Sequence, residues 1–236
     1  MKYDHPTNIL ATVLVLLAAL SSSELLAQSI ASAPVKSAPS TLDPIDDQPG
    51  LPRVLLIGDS ISTGYTLPTR KLLAGQANVH RIPANGGPTS RGLTSIDKWL
   101  GTGQWDVIHF NWGIHDLKYM ADGQRQVEPA DYEKNLRTLV ARLKKTHAKL
   151  IWAATTPIPQ GQLNPDRRFG DETEYNRIAA RVMHEHGIAI DDLYGYIKPR
   201  VDELQKPMDL HYKAEGSEYL AQQVAREIEK VLPAND

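Results

Sequence analysis

The chain has no cysteine in its 236 residues. That absence excludes disulfides and a lipid-modified cysteine, so the folded form must rest on its core alone. An excess of charge is missing too: 26 Lys and Arg stand against 28 Asp and Glu, a formal net charge of −2. Neither nucleic acid nor an anionic membrane surface is an expected partner of so balanced a chain. Long apolar runs are also lacking, since Ile9 to Leu20, the most apolar stretch, falls short of the ~20 residues a spanning helix needs. No internal repeat is visible. No Lys follows Asn85-Gly86-Gly87 at P-loop spacing, and no G-x-G-x-x-G follows the first apolar run, so nucleotide binding is unsupported.

What is present divides the chain into three parts. Lys2, the apolar run and the small residues ending in Leu25-Leu26-Ala27 predict a secretory signal peptide over 1–27 and a periplasmic or secreted product; the competing reading is an uncleaved anchor. Residues 28–50 are rich in Ser, Ala and Pro without an apolar period, which suits a flexible linker. The remaining stretch, 51–236, is long enough for one well-buried domain.

Within that domain, strand-like runs at 53–57, 78–82, 106–111, 149–154 and 188–191 each precede a stretch with helical spacing. Five such alternations predict an α/β fold, a parallel five-stranded sheet with helices on both faces. Leu136, Leu139, Val140 and Leu143 recur at helical intervals behind Pro129 and Asp131, predicting a helix over Tyr132–Lys145. Further helices are expected over 171–186, closed by Gly187, and over 214–231. Two connections, 117–128 and 157–170, exceed the ~2–6 residues usual in such units. Both leave the carboxyl ends of strands, where open sheets bind ligands, and are candidate substrate walls.

The first strand runs directly into Gly58-Asp59-Ser60. Such a serine is either part of a polar turn or a nucleophile; as a nucleophile it needs a base and donors for the oxyanion of acyl transfer. The segments "PANGGPTSRG" (83–92), "FNWGIHDL" (110–117) and "PMDLHYKAEGSEYLA" (207–221) follow the second strand, follow the third, and precede the last helix. In a parallel sheet of this order all three converge on the edge where Ser60 stands.

Together these four segments resemble the SGNH, or GDSL, hydrolase family, over essentially the whole of 53–232. The resemblance implies a three-layer α/β/α sandwich of flavodoxin-like type and a serine esterase without metal or organic cofactor. It implies Ser60 as nucleophile and, through its N–H, as an oxyanion donor, with Gly87 as a second donor and Gly86 as the rival position. His211 is the implied general base. Two departures stand out. The third segment reads Gly113-Ile114-His115-Asp116 where the family commonly has Gly-x-Asn-Asp, which makes His115 either a replacement oxyanion donor, as in a Gly-x-His-Asp subgroup, or a structural histidine. The family's acid usually lies three residues before the histidine, but that position is Met208. Asp209 stands two before it and either orients the ring or leaves a Ser60–His211 dyad.

Trp112, beside Gly113, is either a packed aromatic or a face for stacking on a sugar, and Asn85 is a further candidate for substrate contact. Arg167 and Arg168 pair with an acidic sugar or face solvent. His184 and His186 are two apart on a helix and so point different ways, which argues against a metal pair. His109, mid-strand, reads as a satisfied interior histidine. The resulting expectation is an exported serine esterase acting on short acyl groups, acetyl above all, on a carbohydrate or other small ester. The alternatives are a lipolytic or thioester acyl hydrolase and, from a different class, a catalytically silent carbohydrate-binding module on the same fold.

Overall fold

The computed structural model describes residues 40–233; the expected signal peptide, and the expected linker up to residue 39, lie outside the described residues. Five strands alternate with helices: β1 (Arg53–Ile57), α1 (Ser60–Leu72), β2 (Asn78–Arg81), α2 (Thr89–Leu100), β3 (Val107–Phe110), α3 (Pro129–Lys144), β4 (Lys149–Ala153), α4 (Asp171–His186) and β5 (Ala189–Asp191). Two short helices follow, α5 (Leu193–Ile197) and α6 (Val201–Leu204), with a 3₁₀ turn over Lys198–Arg200 between them; the last helix is α7 (Ala214–Glu229). All neighbouring strands pair in parallel, in the order β2-β1-β3-β4-β5.

Side chains alternate across each strand, and both faces of this sheet are buried, which is why the strands read as continuous apolar runs. Leu55, Ile57, Ile108, Phe110 and Trp152 point to one face and pack with α2, α3 and α4. Val54, Leu56, Val107, Ile151 and Ala153 point to the other, against α1 and α7. The result is the expected three-layer α/β/α sandwich. Gly64 brings α1 and α7 close together, since a Cβ there would stand 2.9 Å from Ser217 Oγ.

The predicted strands hold to within a residue at each end, and α3 starts at Pro129 rather than Tyr132 because proline fits a first helical position. Helix α4 ends as expected at Gly187, whose φ of 64° suits a left-handed cap. Residues 40–50, inside the expected linker, form no helix or strand but lie against the sheet edge. Asp47 pairs with Arg53 and His80, and Asn78 exchanges hydrogen bonds with the backbone of Gln48.

The strand order reverses direction between β1 and β3, with β2 on one side and β4 on the other. Open α/β sheets bind ligands at the carboxyl ends of such a switch point. The segments leaving β1 and β3 there are Gly58-Asp59-Ser60 and 111–118.

Candidate active site

Ser60 is the first residue of α1, and the Asp59 carboxylate caps that helix by accepting the Ile61 N–H at 2.8 Å. Helix starts leave N–H groups without intrahelical partners; the N–H of Ser60 has none among the described residues. The turn is held from below by Arg81, at the end of β2 and 7% exposed. Its guanidinium donates to the carbonyls of Gly58 and Asp59, to Ser62 Oγ, and to the carbonyls of Ile82 and Ala84. Burial lowers the Arg81 pKa, partly countered by Tyr65 and Asp59. Sequence reasoning missed Arg81; the available signal was a cation at the inner end of an apolar strand, where it must find several acceptors.

From 151 residues away, the His211 ring places Nε2 2.7 Å from Ser60 Oγ. Its other nitrogen, Nδ1, lies 2.6 Å from Asp209 Oδ1, which also accepts the His211 backbone N–H at 3.0 Å. The two-residue spacing works because the chain turns tightly just before it. Asp209 N–H donates to Lys206 C=O and Met208 takes a left-handed φ of 54°, which folds the carboxylate back over the imidazole. Partial burial pushes the Asp209 carboxyl up, but the backbone N–H and ring of His211 outweigh it, and the net pKa is lowered. The side chains of His211 and Asp209 are 44% and 40% exposed, so solvent reaches this pair.

The third segment is anchored by Asp116, fully buried, which accepts the Thr89 backbone N–H at 2.8 Å and the Thr89 hydroxyl. This contact joins the loop after β3 to the start of α2. Desolvation pushes the Asp116 carboxyl up to about 7, against the opposing effect of its Thr89 bonds. Gly113 is required in the same loop, because a Cβ there would lie 2.3 Å from Thr155 Oγ1. The loop so held presents His115 to the cavity that Ser60 and His211 also line. The His115 ring has no hydrogen-bond partner among the described residues, and its pKa is lowered, by burial first and by Arg167, Lys118 and His211 in addition. At neutral pH it is therefore a neutral imidazole with one N–H to give.

Three expectations are corrected. Trp112 does not line the cavity: it is 1% exposed, packed with Phe110 and under Gly92, whose Cβ would touch the indole at 2.9 Å. Side-chain alternation past the end of β3 turns it into the core, so it offers no sugar-stacking face. The N–H of Gly87, expected to hold the oxyanion, is already engaged, donating to Asn85 Oδ1 at 2.9 Å, and Gly87 is not among the residues that line the cavity. Asn85, expected to contact substrate, is not among the residues that line the cavity, and its oxygen is used in this turn. The close approach belongs instead to Gly86, where a Cβ would stand 2.9 Å from Gly58 C=O, the same carbonyl that accepts the Gly86 N–H.

The remaining candidates fall out as follows. Arg167 is buried at 5% exposure on the cavity wall, whereas Arg168 lies over the Tyr119 ring at 3.9 Å. His109 Nε2 bonds Asp191 Oδ2 at 3.0 Å in the core. Glu185, between His184 and His186, pairs with Arg137. Both long loops reach the cavity, one through Lys118 and the other through residues 163–167. The cavity measures about 580 Å³, within the range of small-molecule sites.

No curated protein matches the chain. Solved structures do resemble it. The lipase/acylhydrolase from Enterococcus faecalis aligns with a TM-score of 0.67 at 24% identity, over 79% of this chain and 100% of that one. The acetyl xylan esterase AlAXEase aligns at 0.64 and 17%, over 75% and 99% of the two chains. Axe2, an acetylxylan esterase from Geobacillus stearothermophilus, aligns at 0.62 and 20%, over 75% and 94%. At these identities the likeness shows the fold. The model of the GDSL-like Lipase/Acylhydrolase family matches residues 56–219, from the β1 strand past His211. With a family match over most of its length, the chain belongs to the GDSL-like lipase/acylhydrolase, or SGNH, family and is a serine ester hydrolase.

Proposed function

We propose that this hydrolase removes short acyl groups, acetyl above all, from a carbohydrate, through an acyl-enzyme on Ser60. The observation that carries the mechanism is the continuous relay Ser60 Oγ to His211 Nε2 at 2.7 Å and His211 Nδ1 to Asp209 Oδ1 at 2.6 Å. His211 removes the Ser60 proton as the hydroxyl attacks the ester carbon, and returns it to the leaving alcohol. Water, deprotonated by the same ring, then releases the acid. Asp209 fixes the tautomer that leaves Nε2 free to accept and stabilises the imidazolium as it forms. The oxyanion is held by the N–H of Ser60 and the ring N–H of His115, a reading in which histidine takes the third-segment role that asparagine commonly has in the family. The Gly87 N–H, already engaged by Asn85, is left out of this set.

The acyl and alcohol preferences rest on other grounds. The cavity is open and half polar, with Ser60, His115, Asn164, Asp209 and His211 on its wall, which favours a hydrated alcohol over a long acyl chain. Two of the similar structures are described as acetylxylan esterases. Export is inferred from Lys2, the apolar run Ile9 to Leu20 and the small residues ending at Ala27. One observation favours a lipolytic reading instead: Ile61, Ile114, Leu163, Met208 and Leu210 give the same cavity an apolar side.

Fluorophosphonate labelling and the Ser60→Ala variant test the mechanism. Ser60 is expected to label, and the alanine variant to lose roughly 10⁴-fold or more in kcat on an aryl acetate with its thermal unfolding unchanged. An inert Ser60 would support a binding module. Comparing acetyl with octanoyl esters decides the acyl length, and a strong octanoyl preference would replace the acetyl proposal.

A further inference from the structure

Arg167 is an unusual choice for a cavity wall. A guanidinium is almost never as buried as this one, 5% exposed, unless it is fully paired. Here Nε donates to Ile114 C=O at 2.7 Å and Nη1 to Pro165 C=O at 3.2 Å, so a carbonyl of the segment leaving β3 and one of its own loop hold the side chain in place. Among the described residues no carboxylate pairs with it, and Nη2 has no hydrogen-bond partner. Nη2 is also absent from the buried polar atoms that lack a partner, so it reaches open space, and the residue lines the cavity. Lys118 lines the same cavity, and its ammonium likewise has no partner among the described residues.

Three charged groups line the cavity: Arg167, Lys118 and Asp209. Asp209 is engaged by His211, and the Asp59 carboxylate, which accepts the Ile61 N–H and does not line the cavity, acts on both Arg167 and the buried Arg81 cation, whose charge offsets it. In the form of the site in which His211 accepts the Ser60 proton, these three groups leave one positive charge in excess, which matches a monoanion. Arg167 is preorganised, its fork fixed by two backbone carbonyls, and a planar fork with free N–H donors suits a carboxylate. An acetyl group bears no such charge, so the anion must belong to the alcohol part of the substrate.

Building on the esterase reading above, we propose that the natural substrate is an O-acetylated sugar acid, whose carboxylate is held by Arg167 Nη2 and the Lys118 ammonium while Ser60 attacks the acetyl carbonyl. The ester C–O bond breaks to the sugar hydroxyl, as in any acetyl ester. Arg167 and Lys118 take no part in bond making. They select which alcohol is delivered.

The test compares two acetylated sugars that differ only at C6, a methyl glucuronoside with a free carboxylate and the matching methyl glucoside, by released acetate. The acid is expected to show a kcat/KM roughly tenfold higher at low salt, the scale of one charge-assisted contact. That ratio should fall toward one between about 20 mM and about 500 mM NaCl. Removing Arg167 also frees the Ile114 and Pro165 carbonyls and endangers the fold, so the variant to use is Lys118→Glu, which places a negative charge on the wall. It should invert the preference. Equal kcat/KM for the two sugars, with a ratio indifferent to salt and to Lys118→Glu, would overturn the proposal and leave the esterase reading standing. No turnover of either sugar or of an aryl acetate, with Ser60 inert to fluorophosphonate, would overturn both.

Discussion

Replacing Asp209 with Asn keeps the shape of the side chain and removes its charge, and the geometry sets the size of the loss. When His211 takes the Ser60 proton, its imidazolium faces the Asp209 carboxylate across 2.6 Å. Coulomb's law gives about 1.6 kcal/mol at that distance for a dielectric of ~80 and about 3.2 for ~40. Because the two side chains are 44% and 40% exposed, values in this range apply rather than the larger ones of a sealed interior. At ~1.36 kcal/mol per decade, Asp209→Asn should lower kcat/KM by roughly 15- to 200-fold, well short of the ~10⁴ seen where such an acid is buried. The assay is aryl acetate hydrolysis across pH. Losing the carboxylate makes the imidazolium less favourable, so the acid limb of the rate profile should move to lower pH while the plateau drops. A loss under about threefold, or an acid limb that stays in place, would refute the argument that this carboxylate works through the charge on the ring.

Other predictions follow from neighbouring residues. His115→Ala should reduce kcat by about 10²–10³-fold with little change in KM, while His115→Asn, which restores a neutral donor, recovers most of it; steady-state kinetics on a short-chain ester separates the two. Asp116 keeps its proton up to about 7 in the folded state, against 3.8 when exposed. In that window the folded form binds more protons than the unfolded one, so this group's contribution is full below pH ~4 and declines by ~4 kcal/mol as pH rises to neutrality. Denaturant unfolding at both ends of the window should show that slope in the wild type and its loss in Asp116→Asn; identical slopes would contradict it. Trp112→Ala should destabilise by about 3–5 kcal/mol, as a large core aromatic does, with the acetyl sugar KM unchanged wherever folded enzyme is assayed. A selective rise in KM would return the indole to the substrate.

The parts of the fold that could be read from the sequence were those set by period and punctuation. Continuous apolar strands, Pro129 at a helix start and Gly187 at a helix end are local signals, and the structure places each where these signals put it. The meeting of Ser60 with His211 was legible for a different reason, since the topology of a parallel sheet forces βα turns to one edge. What stayed hidden depends on how individual turns bend and, at Arg81, on contacts between segments distant in sequence. The tryptophan at 112 carries no mark that says which way the chain bends after β3. The engagement of Gly87 by Asn85 is a matter of one turn's torsions. The five acceptors around Arg81 come from two separate βα turns, which only folding brings together. The Asp209 spacing looked anomalous because the left-handed turn at Met208 cannot be read from a methionine, a residue with no preference for it.

Helices α1 and α7 lie side by side on one face of the sheet, with Ser60 opening the first and His211 three residues ahead of the second. The attacking group is therefore made early in synthesis and its proton acceptor near the end. A polypeptide halted anywhere before residue 211 carries a serine with no base to activate it. Hydrolytic power arrives all at once, when the closing helix docks, so an unfinished or unfolded copy cannot damage esters in the compartment where it is made.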